Sequence, residues 1–257
     1  MVSFSLTSTA LHSWVTLATG VVRLGPLRIS GYSLCAAVGL LAALWLSQRT
    51  AMLAGLRAEP LWDAGIFTVA AAFVISRLLL IVRDAHAFLR YPLLVLALPS
   101  FTYLGMATTA VATLIYLRRR KLPLLRVLDA WAPCEALLAA ALSLGHWVEG
   151  SDEGMPTRMP WGVASPIGRV HPVQLCAVVA ALALGAVLLA LLLRQPRPGL
   201  VAAVALLAGG LIAFLLEMLT QPDLPVGWLE PGQWIAAASM LAGIVLCISP
   251  QTPQEAT

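Results

Sequence analysis

Charge is what this chain has least of. Asp, Glu, Lys and Arg together make up 11% of 257 residues, while 60% are hydrophobic. So few polar groups cannot clothe a water-soluble surface of that size. A soluble globular fold is excluded, and the chain must be solvated by lipid. Lysine is nearly absent, with one residue against fifteen arginines. Cysteine is sparse and scattered: Cys35, Cys134, Cys176 and Cys247 fall in different apolar segments, with no Cys-x-x-Cys or Cys/His ligand spacing. Neither a disulfide framework nor a zinc site is indicated, and no metal or cofactor is expected from the ligand types present. The net charge of +4 suits anionic lipid heads and gives no reason to invoke nucleic acid. Loops are short, and the longest, from about Gly150 to Val170, leaves no room for a soluble domain.

What is abundant is the long apolar run. A helix needs about 20 apolar residues to cross the hydrocarbon core, and such runs occupy 30–49, 62–83, 92–117, 124–148, 171–193, 198–220 and 231–249. Barrel strands would alternate apolar and polar residues, whereas these runs are apolar on every face. The fold class expected is therefore all-α: a polytopic integral membrane protein of about seven transmembrane helices. Residues 1–29 form an N-terminal segment, 30–249 the helical domain and 250–257 a polar tail. Leu11 to Val22 is too short to span and lacks the features of a cleaved leader, so it is expected to lie at the bilayer interface. Nine basic residues, including Arg118, Arg119, Arg120, Lys121 and Arg126, fall in loops on one side and six on the other. The positive-inside rule then puts the N-terminus outside and the C-terminus in the cytoplasm.

Chemistry is sought where ionisable groups enter the membrane, because they are costly there unless a cavity or partner receives them. Arg77, within VISRLLLIV, either clamps a phosphate bidentately or snorkels and pairs with a carboxylate such as Glu217. Glu217 in turn reads as a general base or as the counter-ion of an arginine. Asp129 reads most simply as a cap or ion pair at the basic surface. Glu135 follows one and a half turns later. His146 and Glu149, three residues apart, share a helical face and either pass a proton or pair at the interface. His171 opens HPVQL, where a proline in the first helical turn fixes a helix start and leaves the imidazole and Gln174 near the membrane surface. Tyr32 belongs either to an aromatic belt or to a substrate pocket.

Between the apolar runs lie islands of Pro- and Gly-rich sequence: GMPTRMPWGVASP from Gly154, HPVQLCA from His171, RQPRP from Arg194 and EMLTQPD from Glu217. In order and spacing they resemble the prolipoprotein diacylglyceryl transferase family of bacterial inner membranes, whose counterparts read GRPTDLPWGVVFP, HPxQLYE, RxPRP and ExxRQPD. The resemblance runs from GPLRISGYSL near Gly25 to GQW at Gly232. It departs at three polar positions. The family's GRxGNFxNGE is LSLGHWVEGS here, so Ser143 stands for its arginine and His146 and Glu149 for its two asparagines. Thr102 stands for a functional histidine, and Ala213 for a second arginine.

The resemblance implies a multi-pass protein of the bacterial cytoplasmic membrane. Its expected partners are phosphatidylglycerol, the signal peptide of a lipoprotein precursor and membrane lipid. It implies transfer of diacylglyceryl to the thiol of the lipobox cysteine, with glycerol phosphate leaving. In that reading His171 or His146 is the base and Tyr32 and Gln174 position the head group. Arg77 holds the phosphate with help from Arg169, and Glu149, Glu217 and Gln221 complete the binding set. A catalytically silent relative that keeps the lipid- or peptide-binding cavity is the alternative.

Overall fold

The computed structural model describes residues 17–18, 21–24, 27–83, 102–151, 154–165, 168–221 and 228–249. Seven helices account for most of them: α1 Gly31–Leu53, α2 Ala58–Arg83, α3 Tyr103–Arg119, α4 Leu124–Glu149, α5 Val173–Leu193, α6 Leu200–Glu217 and α7 Pro231–Ile248. All but α3 are long and apolar enough to cross a membrane. Lipid leaves no alternative for such runs, since every backbone N–H and C=O in hydrocarbon must find its partner within the segment. The third expected span, 92–117, is described only from Thr102 onward; its first part lies outside the described residues.

Local chemistry sets the helix ends. The Ser30 hydroxyl accepts from the Ser33 N–H at 3.1 Å and starts α1. Thr102 does the same for α3, accepting from Gly105 at 3.2 Å. Glu230 and Gln233 form a reciprocal capping box at α7, with Pro231 in the first turn. α4 ends where Gly150 adopts φ +67, a left-handed conformation that turns the chain out of the helix.

α4 is the central element and packs against α1 on one side and α5 and α6 on the other. α6 pairs with α7, and α2 with α3 and α1. One buried apolar cluster joins Ala51, Leu61, Leu117 and Val127, and another joins Ala136, Leu188, Leu192 and Val201. Both sit where α1, α3 and α5 end and α2, α4 and α6 begin, in the half of the bundle that carries the arginine-rich turns. The outward faces are apolar, with Val82, Val179 and Ile248 among the many exposed hydrophobic side chains, as a lipid-facing surface requires.

Five short strands were not anticipated from the apolar runs. Leu17–Ala18, Val21–Leu24 and Leu27–Ser30 (β1 to β3) form an antiparallel sheet in the order β1-β2-β3, feeding directly into α1. Of the segment Leu11 to Val22 expected to lie on the bilayer, Leu17, Ala18, Val21 and Val22 are paired backbone, and residues 11–16, 19 and 20 lie outside the described residues. Val163–Ser165 and Gly168–Val170 (β4 and β5) make a hairpin in the loop before α5.

Candidate functional site

The starts of α1, α5 and α7 and the ends of α4 and α6 meet at the end of the bundle opposite the arginine-rich turns. Nearly every residue singled out from the sequence lies there. Two groups form.

The first joins α1 to α4. Tyr32, in the first turn of α1, sets its ring 4.6 Å from that of His146 at 52°. Its backbone N–H donates to Glu149 Oε1 at 3.3 Å. The Glu149 carboxylate therefore sits at the N-terminus of α1, where the open N–H groups and the helix dipole favour negative charge. Gly145 permits this approach: a Cβ there would stand 3.0 Å from both the Cα and the ring of Tyr32. The Ser151 hydroxyl lies 2.9 Å from His146 Nδ1 and donates its proton to the His146 carbonyl at 3.3 Å. In the tautomer where that proton stays directed at the carbonyl, the Ser151 oxygen accepts from Nδ1–H and the ring's lone pair falls on Nε2. Ser151 carries no signal of its own in the sequence, because the chain must turn at Gly150 before the hydroxyl reaches back. Glu135, exposed on the same stripe of α4, lies about three turns nearer the basic end.

The second group is the proline-rich loop and what it is tied to. Met155 donates its N–H to Leu219 O at 2.8 Å and its carbonyl accepts from His171 N at 3.0 Å, so the loop bridges the end of α6 and the start of α5. Thr157 N donates to Arg169 O at 2.8 Å, continuing this pairing. Arg169 directs its guanidinium inward to the loop, donating to Pro160 O at 3.0 Å and to Gly162 O at 3.0 and 3.2 Å. His171 and Gln174 are half-buried and Gln221 is exposed. Glu217 reaches the first turn of α7, where its carboxylate packs directly on Gly232; an added Cβ would overlap it.

Arg77 belongs to α2, about two turns before its end at Arg83. It is buried at 7% exposure, with its guanidinium 5.3 Å from the centroid of the Phe73 ring. The contacts bring together Tyr32, His146 and Glu149, and separately Glu217 with the α7 start and the loop with His171. Asp129 lies at the opposite end, buried on α4. It accepts from Gly199 N at 2.5 Å and Ala202 N at 2.8 Å, and so caps α6.

The departures from the family pattern also have places. Thr102 is occupied as the cap of α3, Ser143 is half-buried on α4, and Ala213 is exposed on α6. Among the described residues no cluster of three or more His, Cys, Asp or Glu is arranged to hold a metal ion.

Comparison with known proteins adds a consistent result. The model of a family described as prolipoprotein diacylglyceryl transferase matches residues 19–249. A phosphatidylglycerol–prolipoprotein diacylglyceryl transferase of Photobacterium profundum is 29% identical over 250 residues, covering 91% of this chain and 93% of its own. One from Bordetella bronchiseptica is 30% identical over 254 residues, covering 90% and 95%. A protein of the same name, numbered 2, from Streptomyces coelicolor is 30% identical over 164 residues, 60% of this chain and 50% of its own.

Proposed function

The chain belongs to the prolipoprotein diacylglyceryl transferase family, and from that membership we propose that it transfers diacylglyceryl from phosphatidylglycerol to the cysteine thiol of a lipoprotein precursor. The observation that carries this reading is the family match, which spans residues 19–249, from just after β1 to just past the end of α7. The reaction is a displacement. The thiol loses its proton to a base, the sulfur attacks the terminal glyceryl carbon, the carbon–oxygen bond to phosphate breaks, and glycerol phosphate leaves as the thioether forms.

The site residues are assigned within that reaction. His146, with its Nδ1–H held by Ser151, presents Nε2 as the acceptor for the thiol proton; His171 is the second candidate for that role. The buried Arg77 takes the phosphate, where a bidentate guanidinium is worth most because water is excluded. Tyr32 holds the imidazole in place. Glu149 and Glu217 fix the starts of α1 and α7 on either side of these groups. Arg169 acts through the loop that it ties together.

A second reading has its own observation. Ser143, Thr102 and Ala213 replace three polar groups of the family pattern, and Thr102 is committed to a helix cap. In that reading the chain binds lipid or signal peptide without turning them over. Purified protein, phosphatidylglycerol and a lipobox peptide separate the two. A peptide heavier by one diacylglyceryl group, formed with phosphatidylglycerol and not with phosphatidylcholine, supports transfer. Retained lipid binding with no modified peptide supports the silent relative.

A further inference from the structure

At the end of the bundle away from the site, the α1–α2 turn and the α3–α4 turn enclose a cleft of about 160 Å³. Its floor is apolar, formed by Leu61, Leu122 and Val127, and its rim carries Gly55 and Arg57. Gly55 adopts φ +72, and the guanidinium of Arg126 lies across it, with Nη1 3.3 Å from where a Cβ would stand. A second arginine therefore stands at Gly55, on the rim that Arg57 shares. α4 begins beside the cleft at Pro123 without a side-chain cap, so its first N–H groups remain open to an anion. Arg118, Arg119, Arg120 and Lys121 are exposed on the adjoining turn. The carboxylates nearby in sequence are Glu59 and Asp63 of α2 and Asp129 of α4; none lines the cleft, and Asp129 is taken up by the start of α6. Among the described residues, Arg57, Lys121 and Arg126 carry no ion pair and no side-chain hydrogen bond.

We propose that this cleft binds the phosphate of an anionic membrane lipid. Three features on the page select that ligand. The rim is cationic and its charges are uncommitted. The floor is apolar, which suits the glyceryl part of a lipid better than a hydrated ion. The cleft lies at the end of membrane-crossing helices, at the depth of lipid headgroups, with the exposed Met52 one turn before Gly55 available to an acyl chain. The site is separate from the transferase centre and independent of whether the chain turns over. A lipid held there joins the α1–α2 turn to the α3–α4 turn and stabilises the basic half of the bundle.

The test uses the full chain in detergent and native mass spectrometry, with phosphatidylserine as the probe and phosphatidylcholine as the zwitterionic control. The Arg57→Ala/Arg126→Ala double variant is expected to hold phosphatidylserine more weakly by roughly fivefold per arginine removed, with phosphatidylcholine unaffected. The Arg57→Lys/Arg126→Lys variant should recover most of the loss. Leu122→Trp keeps every charge and fills the cleft, so it should also weaken phosphatidylserine; it keeps the test decisive if the alanine variant does not fold. Equal affinity in wild type and Leu122→Trp would overturn the proposal, because binding would then be a diffuse property of the basic surface. Displacement of the lipid by millimolar inorganic phosphate would overturn it too, by identifying a soluble anion as the occupant.

Discussion

Glu149, Glu217 and Asp129 each place a carboxylate at the first turn of a helix other than their own. Glu149 accepts from the start of α1, Asp129 from the start of α6, and Glu217 packs on Gly232 at the start of α7. Of the three only Asp129 is buried, where a carboxylate is costly unless donors receive it, and the start of α6, which has no side-chain cap of its own, supplies both donors and a favourable dipole. Gly232 is the most exposed to test. A methyl group there must displace the Glu217 carboxylate, so Gly232→Ala is expected to lower the melting temperature in detergent, at a cost of about 1–3 kcal/mol. Glu217→Gln, which keeps the volume, should cost less. Unchanged melting in Gly232→Ala would mean that Glu217 has room to move aside. The sequence marks these three acids as polar groups in apolar surroundings but cannot name their partners, since the donors lie 117 residues from Glu149 and 70 from Asp129. Arg169 shows the same limit: it is expected to help Arg77 hold the phosphate, and the fold turns it onto loop carbonyls.

At the scale of elements, the helices were legible because lipid enforces them. Six of the seven apolar runs became helices long enough to span, and the starts of α1 and α7 carry ordinary caps. The sheet from Leu17 to Ser30 was not legible. Its strands are two to four residues long and defined by pairing with each other, and a run that short has no periodicity to read. The pinning of the proline-rich loop was likewise hidden, since its backbone partners Leu219 and His171 lie on separate helices. α6 offers a direct test of how one helix supports another. Its start at Gly199 has no side-chain cap of its own and depends on Asp129 of α4. Asp129→Ala leaves two buried N–H groups without their acceptor and is expected to cost about 1–3 kcal/mol, read as thermal unfolding in detergent. Asp129→Asn, which retains one acceptor oxygen, should fall between the two; an Asp129→Ala protein as stable as wild type would remove the capping role.

For the whole molecule, the packed core and the chemistry occupy opposite ends. The buried apolar clusters lie in the half with the arginine-rich turns, and Tyr32, His146, Glu149, His171 and Glu217 lie at the other. Such a division suits a site that must admit a lipid and a peptide, since low local stability is drawn to regions that open. By the positive-inside rule the arginine-rich end is expected in the cytoplasm, an orientation we propose for testing. In a cysteine-free background, Met159→Cys should then react with a membrane-impermeant maleimide in intact cells, and Lys121→Cys only after lysis; the reverse pattern would invert the topology. Fold and family were readable from the sequence because apolar length and the polar islands survive divergence. The working site was only partly so, because its geometry depends on side chains from separate helices. The central claim is that Arg77 carries the phosphate in a site that lacks three of the family's polar groups. The measurement that bears on it most directly is the rate of thioether formation on a lipobox peptide by purified wild type, Arg77→Lys and Arg77→Ala with phosphatidylglycerol. Wild type should form product, Arg77→Ala should be slower by roughly two to three powers of ten, and Arg77→Lys should lie between. Equal rates for wild type and Arg77→Ala, or no product from folded wild type, would contradict it.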